Sequence, residues 1–278
     1  VGSKAINDGT ITMNGKAAAG MYGEDITTFE NKAGKSIEVK KEKSVGMYAR
    51  ATGTNTLTAQ NNGKIITNKQ KSVGIYLKND TTLPTGSINP AASKLIAFNK
   101  EIEIKGGTES IGIYAPKATI SNVGTVTMDN AVKKSIAAYI SDGGKITNAS
   151  TANINLGTSG KNIAYYVKNA GTSIGGANVG TVKGYGVGVY LEGTKANPTA
   201  TPAVSASQAT LEANAPELKF NNGTTDGNGI IGLYLKGNTD ISTYNKKITV
   251  GNTVVDNKTK TDIAPAIGIY SEKQGVSG

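Results

Sequence analysis

The chain contains no cysteine, no histidine and no tryptophan, and it has 3 phenylalanines among 278 residues. Without cysteine there is neither a disulfide framework nor a thiolate metal site. Without imidazole, Ser-His-Asp and Cys-His catalysis, HExxH zinc sites and the usual switch near neutral pH are excluded. Carboxylates, lysine and tyrosine remain for any acid–base chemistry. Aromatic residues make up 5% of the chain, too few for a bulky globular core. No run of about 18 consecutive apolar residues occurs, so the chain is not expected to span a membrane. Val1-Gly2-Ser3-Lys4 does not read as the start of a signal peptide. The pattern described below is already under way at the first residues, which suggests a piece of a longer protein.

Glycine is abundant, at 36 residues against 7 prolines, and it is spread along the whole chain, which points to regularly spaced turns. The hydrophobic fraction of 37% is mostly Ile, Val, Ala and Tyr, residues suited to strands. A net charge of +10 arises from 30 Lys and Arg against 20 Asp and Glu. The lysines fall at strand ends and turns, such as Lys40, Lys41, Lys43, Lys133 and Lys134. Most of them read as a solvated face; the functional alternative is attraction to acidic glycans or anionic cell surfaces. No basic cluster is interleaved with aromatic platforms, so no nucleic-acid partner is expected.

One element recurs: a small apolar pair around Gly or Ala, closed by Tyr. Copies include Val45-Gly46-Met47-Tyr48, Val73-Gly74-Ile75-Tyr76, Ile111-Gly112-Ile113-Tyr114, Ile136-Ala137-Ala138-Tyr139 and Ile231-Gly232-Leu233-Tyr234. Nine copies place tyrosines at 22, 48, 76, 114, 139, 166, 190, 234 and 270, at intervals of 26, 28, 38, 25, 27, 24, 44 and 36. A period in the twenties signals a solenoid. Between copies, Asn or Gly turns lead into short β-branched strands, as in Asn62-Gly63-Lys64-Ile65-Ile66-Thr67 and Asn122-Val123-Gly124-Thr125-Val126-Thr127. Asn and Gly tolerate the positive φ of tight corners. No helical period persists, so each strand must bury its face by stacking on the same strand of the next repeat. The expected fold is an all-β, single-stranded parallel β-helix over residues 1–278, with about nine coils of roughly 25 residues.

Alternation along Val73-Gly74-Ile75-Tyr76-Leu77 predicts Val73, Ile75 and Leu77 inward, with Gly74 and Tyr76 outward. The glycine would then make room for a tyrosine ladder on the outer face. Open strand edges at the terminal coils predict that the isolated segment associates or frays. Protected terminal amides in a monodisperse monomer would contradict that expectation.

The three long intervals imply loops leaving the rod at about 79–93, 194–217 and 252–264. Such insertions cost little free energy and can be bland. They are also where a receptor or glycan would bind, and the candidate contact residues are Asp80, Thr81, Lys195, Asn197, Thr199, Lys258 and Lys260.

Catalytic and metal motifs are weak. Gly227-Asn228-Gly229-Ile230-Ile231-Gly232 matches GxGxxG but leads into a strand rather than a helix. The GGxGxD pattern of calcium-binding rolls does not recur. Glu38, Glu101, Glu103 and Asp129 fall on separate strands or beside lysines, without the paired arrangement a polysaccharide-cleaving site needs. No catalytic residue, cofactor or metal is assigned, and the chain is not expected to be an enzyme.

The nine Ile/Val-Gly-Ile/Met-Tyr copies, alternating with Asn-x-Gly-Thr-Ile/Val segments, resemble the passenger repeats of large type V autotransporter adhesins, especially those of fusobacteria, over residues 5–271. The resemblance implies a long right-handed β-helix at the cell surface, tethered to the outer membrane of a Gram-negative bacterium by a C-terminal β-barrel translocator. It further implies attachment or coaggregation, with a surface protein or glycan of a host cell or partner bacterium as ligand. The sequence leaves three functional alternatives: adhesion through loops or a basic flank, a pure spacer for a distal binding domain, and a secreted polysaccharide-acting β-helix enzyme.

Overall fold

The computed structural model describes residues 3–52, 56–80, 95–169, 174–196, 199, 203, 205–220, 230–250 and 267–272. Every pairing between its strands is parallel, and the chain is an all-β solenoid of about 8 turns, without helices among the described residues. No helix among the described residues is long and apolar enough to cross a membrane.

The tyrosine element forms one wall, a 9-stranded sheet running without interruption from Ala19–Glu24 to Ile267–Ser271. The rest of each turn belongs chiefly to an 11-stranded sheet. Its longest members, Leu57–Thr67 and Leu95–Ile104, pass through a corner at Asn61 and Asn99, which gives the turn three sides. At about 4.8 Å per strand, nine stacked strands extend roughly 40 Å.

Stacking places like on like. The alternation that sets Leu77, Ala115, Ile140, Val167 and Leu191 inward is present, and all are buried. Around the glycine, however, the expected faces are wrong. Gly74 and Ile75 are both buried, whereas Val73 and Tyr76 are half-buried. A Cβ added to Gly74 would lie 2.9 Å from Cδ1 of Ile102, a core residue on the facing wall. Gly46 faces Ile65, Gly20 faces Ile37 and Gly188 faces Phe220 in the same way. The glycine therefore points into the core and Val73 points out, the reverse of the sequence expectation. Its purpose is to yield volume to a large residue across a thin interior, and Ala137 and Ala164 fill the same position in two coils.

Corners are secured by buried polar columns. Asn7, Asn31, Asn61 and Asn99 stack with Nδ2 donating to the next Oδ1 at 2.8, 2.7 and 2.7 Å, and Asn99 donates to the Val123 carbonyl at 2.7 Å. Asn61 Nδ2 also donates to the Glu101 carbonyl at 2.9 Å, so the amide satisfies backbone that the bend has removed from the ladder. A second column of buried serines, Ser44, Ser72, Ser110 and Ser135, precedes the tyrosine strands; Ser110 N–H donates to Ser135 Oγ at 3.1 Å, and Ser135 N–H to Asn162 Oδ1 at 3.0 Å. The residues just before the four serines, Lys43, Lys71, Glu109 and Lys134, take positive φ of 57, 56, 60 and 53°. Positive φ was expected at Asn and Gly; at this corner it falls on long charged side chains, which reach solvent while the serine turns in.

The glycine pressed most closely by a core side chain supplies a test. A Cβ at Gly188 would lie 2.3 Å from Cε1 of Phe220. Gly188→Ala is expected to destabilise by about 1–3 kcal/mol in urea unfolding, the usual cost of overpacking. Adding Phe220→Leu should recover part of that loss, giving a coupling energy in a double-mutant cycle. Additive effects would mean that the two residues do not compete for the same space.

Candidate functional site

Two continuous features run along the rod, a tyrosine column and a lysine edge. In the column, consecutive rings from Tyr22 to Tyr270 have centroids 4.7–5.4 Å apart. Several pairs are stacked with nearly parallel planes, such as Tyr190 and Tyr234 at 11°. The sequence expectation of an outer tyrosine ladder is met. Since each interior ring has a neighbour on both faces, no face is free to stack on a sugar or a base, and the column presents phenol edges only. The hydroxyls of Tyr22, Tyr166 and Tyr234 donate to Glu24, Glu192 and Glu272. Burial within the stack pushes the phenols of Tyr139 and Tyr190 up to about 12. These contacts make the column structural, each ring holding the coil above it.

The lysine edge comes from the corner that carries the serine column. It is built by residues 40–44, 68–72, 105–110, 129–135, 157–162 and 183–186, which stack through Lys43 N–H to Gln70 O at 3.2 Å, Lys71 N–H to Thr108 O at 2.9 Å, and Lys134 N–H to Lys161 O at 3.1 Å. Six corners contain ten lysines, all exposed: Lys40, Lys41, Lys43, Lys69, Lys71, Lys105, Lys133, Lys134, Lys161 and Lys183. Glu42, Glu109 and Asp129 are their only acidic residues. Seven of the ten net positive charges thus lie on one edge. Lys40, Lys71 and Lys105 are paired with Glu38, Glu109 and Glu103 at 3.3, 3.5 and 3.1 Å, and the other seven have no ion pair among the described residues. With corners about 4.8 Å apart, the edge carries roughly one net positive charge per 3–4 Å, inside a Debye length of about 8 Å. Lysines that look dispersed in sequence therefore act as a line of charge. The signal was the repeated Lys-Ser before the tyrosine strand, in Lys43-Ser44, Lys71-Ser72 and Lys134-Ser135.

The loop candidates are treated differently by the structure. Asp80 sits at the end of the Val73–Asn79 strand, where it accepts from Arg50 Nε at 2.7 Å and lies 3.2 Å from Lys78 Nζ. The hydrogen bond from Arg50 is the main cause holding its carboxyl below the usual value. Asp80 thus belongs to a surface ion cluster that also holds Glu24. Lys195 is exposed beside the antiparallel bridge Thr194–Ser207, which closes the base of the insertion. Farther on, Ala209, Leu211 and Ala215 are buried, so that part of 194–217 completes the coil. Thr199 is exposed. Thr81, Asn197, Lys258 and Lys260 lie outside the described residues, as does all of 252–264.

Among the described residues, Glu38, Glu101 and Glu103 engage lysines and an amide. Lys64 Nζ bridges Glu101 at 3.0 Å and Glu103 at 2.6 Å, and Glu38 accepts from Asn68 at 3.1 Å. Burial raises the Glu103 carboxyl, but Lys64 and Lys105 outweigh it and leave the group below its ordinary value. No group of three or more acidic side chains that could hold a metal occurs among the described residues.

Residues 1–94 match the family described as the BigA third pectate lyase-like domain, about a third of the chain. This match points to a β-helical domain of a bacterial surface protein. No curated protein and no solved structure matches the chain.

The column makes a pH prediction. A phenol whose folded pKa is raised contributes stability that is intact below the unfolded value of about 10 and is lost as pH rises through the folded value. Stability should therefore fall between pH 10 and about 12, where Tyr139 and Tyr190 ionise. Phenolate absorbance should show a late-titrating set coincident with the loss of β-sheet circular dichroism. Ionisation of all tyrosines near pH 10 with the fold intact would contradict a packed column.

Proposed function

We propose that the chain is part of the passenger of an autotransporter-type adhesin, displayed at the surface of a Gram-negative bacterium. In this reading the rod is an elongated scaffold whose lysine edge draws it onto acidic glycans of host or partner-bacterial cells. The observation that carries it is the gathering of seven of ten net charges on a single edge. A line of unpaired ammonium groups matches a linear polyanion, raises its local concentration and speeds encounter. An acidic glycan fits better than nucleic acid because Tyr185 is the only aromatic residue in these corners, leaving almost nothing on which bases could stack. The match to a pectate lyase-like domain supports a surface scaffold. The autotransporter assignment adds a C-terminal β-barrel translocator as partner in the parent chain.

The proposed role is non-catalytic. It is supported by Glu38, Glu101 and Glu103, whose carboxylates engage lysines or amides rather than one another. The spacer reading draws on the tyrosine column, whose ring faces are consumed in holding coils together.

Binding of the purified chain to cells, and to sulfated, carboxylated and neutral glycans at two salt concentrations, separates these readings. The adhesin reading expects saturable binding to acidic glycans that weakens with salt. A Lys41→Gln, Lys69→Gln, Lys133→Gln, Lys161→Gln variant should lose about tenfold or more in affinity and show a shallower salt dependence. Unchanged binding by that variant would remove the lysine edge from the account, and no saturable binding at all would leave the spacer.

A further inference from the structure

The corner at the other end of the Lys64–Thr67 side holds a groove of about 430 Å³, within the size range of small-ligand clefts. Its origin is a change in turn length along the rod. Four residues, 32–35, lie between Asn31 and Ser36; the paired positions Asn61 and Lys64 are separated by two, and Asn99 and Glu101 by Lys100 alone. In the next coil Val123 and Gly124 fill the places of Asn99 and Lys100. The corner therefore recedes at Lys100 and Gly124, while Ala33 and Thr151, in neighbouring turns, form the rims.

Phe98 lies against this recess. The other two phenylalanines, Phe29 and Phe220, are core residues with 1% and 0% exposure, whereas Phe98 is half-buried on the outer side between Gln60 and Asn122. It has no aromatic partner among the described residues, so its ring, unlike those of the tyrosine column, is not enclosed in a stack. Around it are fixed amides and hydroxyls. Asn62 Nδ2 donates to Glu30 at 2.8 Å, Asn122 Nδ2 donates to the Asn99 carbonyl at 2.6 Å, and Thr151 Oγ1 donates to Asn122 Oδ1 at 2.7 Å. Glu30 and Lys100 bring one charge of each sign, which cancel.

We propose that this groove binds a neutral saccharide, with one pyranose stacked on Phe98 and its hydroxyls directed to Asn62, Glu30 and Lys100. A pyranose presents a patch of C–H groups whose partial positive charge suits the negative face of an aromatic ring. Its rim of hydroxyls suits oriented amides and single charged groups, and a lining without net charge disfavours an acidic ligand. The site is separate from the lysine edge and goes beyond the polyanion reading, because its ligand is uncharged and its binding is insensitive to salt.

The test is titration of the full chain with neutral oligosaccharides ending in glucose, galactose, mannose or an N-acetylhexosamine, followed by calorimetry or saturation-transfer NMR at low and high salt. Expected is saturable binding of at least one probe, unchanged by salt and by the four-lysine variant. Phe98→Ala should weaken it about tenfold or more, and Phe98→Tyr should retain it within about threefold. Absence of saturable binding by every neutral probe would overturn the proposal, as would equal affinity in Phe98→Ala or loss of binding at high salt. Failure of the lysine variant to bind acidic glycans, with neutral binding intact, would bear on the lysine edge alone.

Discussion

Parallel stacking in register is the constraint from which the rest of the molecule follows. Each coil can satisfy its backbone and bury its apolar face only against the coil before and the coil after. A residue type that suits one coil at a given position is therefore repeated directly above itself. Asn61 beneath Asn99, Ser110 beneath Ser135 and Tyr114 beneath Tyr139 are the same rule applied to an amide, a hydroxyl and a ring. The amide column carries the greatest burden, since a buried bend without Asn61 and Asn99 would leave backbone groups unpaired at roughly 1–3 kcal/mol each.

The same rule turns a weak sequence signal into a continuous charged edge. Lysines recurring before a serine are separated in the chain by a whole coil, yet stacking brings those of successive corners to about 4.8 Å apart along the rod. The edge needs no folded pocket and no long insertion. The Phe98 groove arises from the opposite circumstance, a local departure from repetition, where a corner shortens and the one phenylalanine outside the core appears. Regular positions build the scaffold and the charge line; the irregular one supplies a cleft.

Much of the architecture was legible in sequence because a solenoid writes its period plainly. The nine tyrosines set the number of wall strands, and the inward residues after the first eight of them follow from simple alternation, with Ser271 after the ninth exposed. The glycine was misread for a definite reason. Alternation assumes an unbroken strand, whereas Gly74 and Ile75 both turn inward, and what demands glycine is Ile102, a residue 28 positions away that meets it only across the folded core. The asparagine column was visible only in part, since the turn signature fell on Asn62, one residue past the column member Asn61, while Asn31 and Asn99 carried no turn signature. The lysine edge was hidden by its own spacing. Of the loop candidates, Asp80 proved to be tied to Arg50, a partner 30 residues earlier and one coil away.

Removing one whole coil tests the stacking account most directly. Deletion of residues 111–135 joins Ser110 to Ile136, so that each column closes over the gap, with Tyr76 meeting Tyr139. The account predicts a folded, shorter rod with cooperative unfolding and amide protection on both sides of the splice, while a deletion of half that length at the same place leaves the register broken and the chain unfolded beyond it. Loss of structure in the full-coil deletion, or equal tolerance of the half-coil deletion, would contradict the claim that in-register stacking is what holds this protein together.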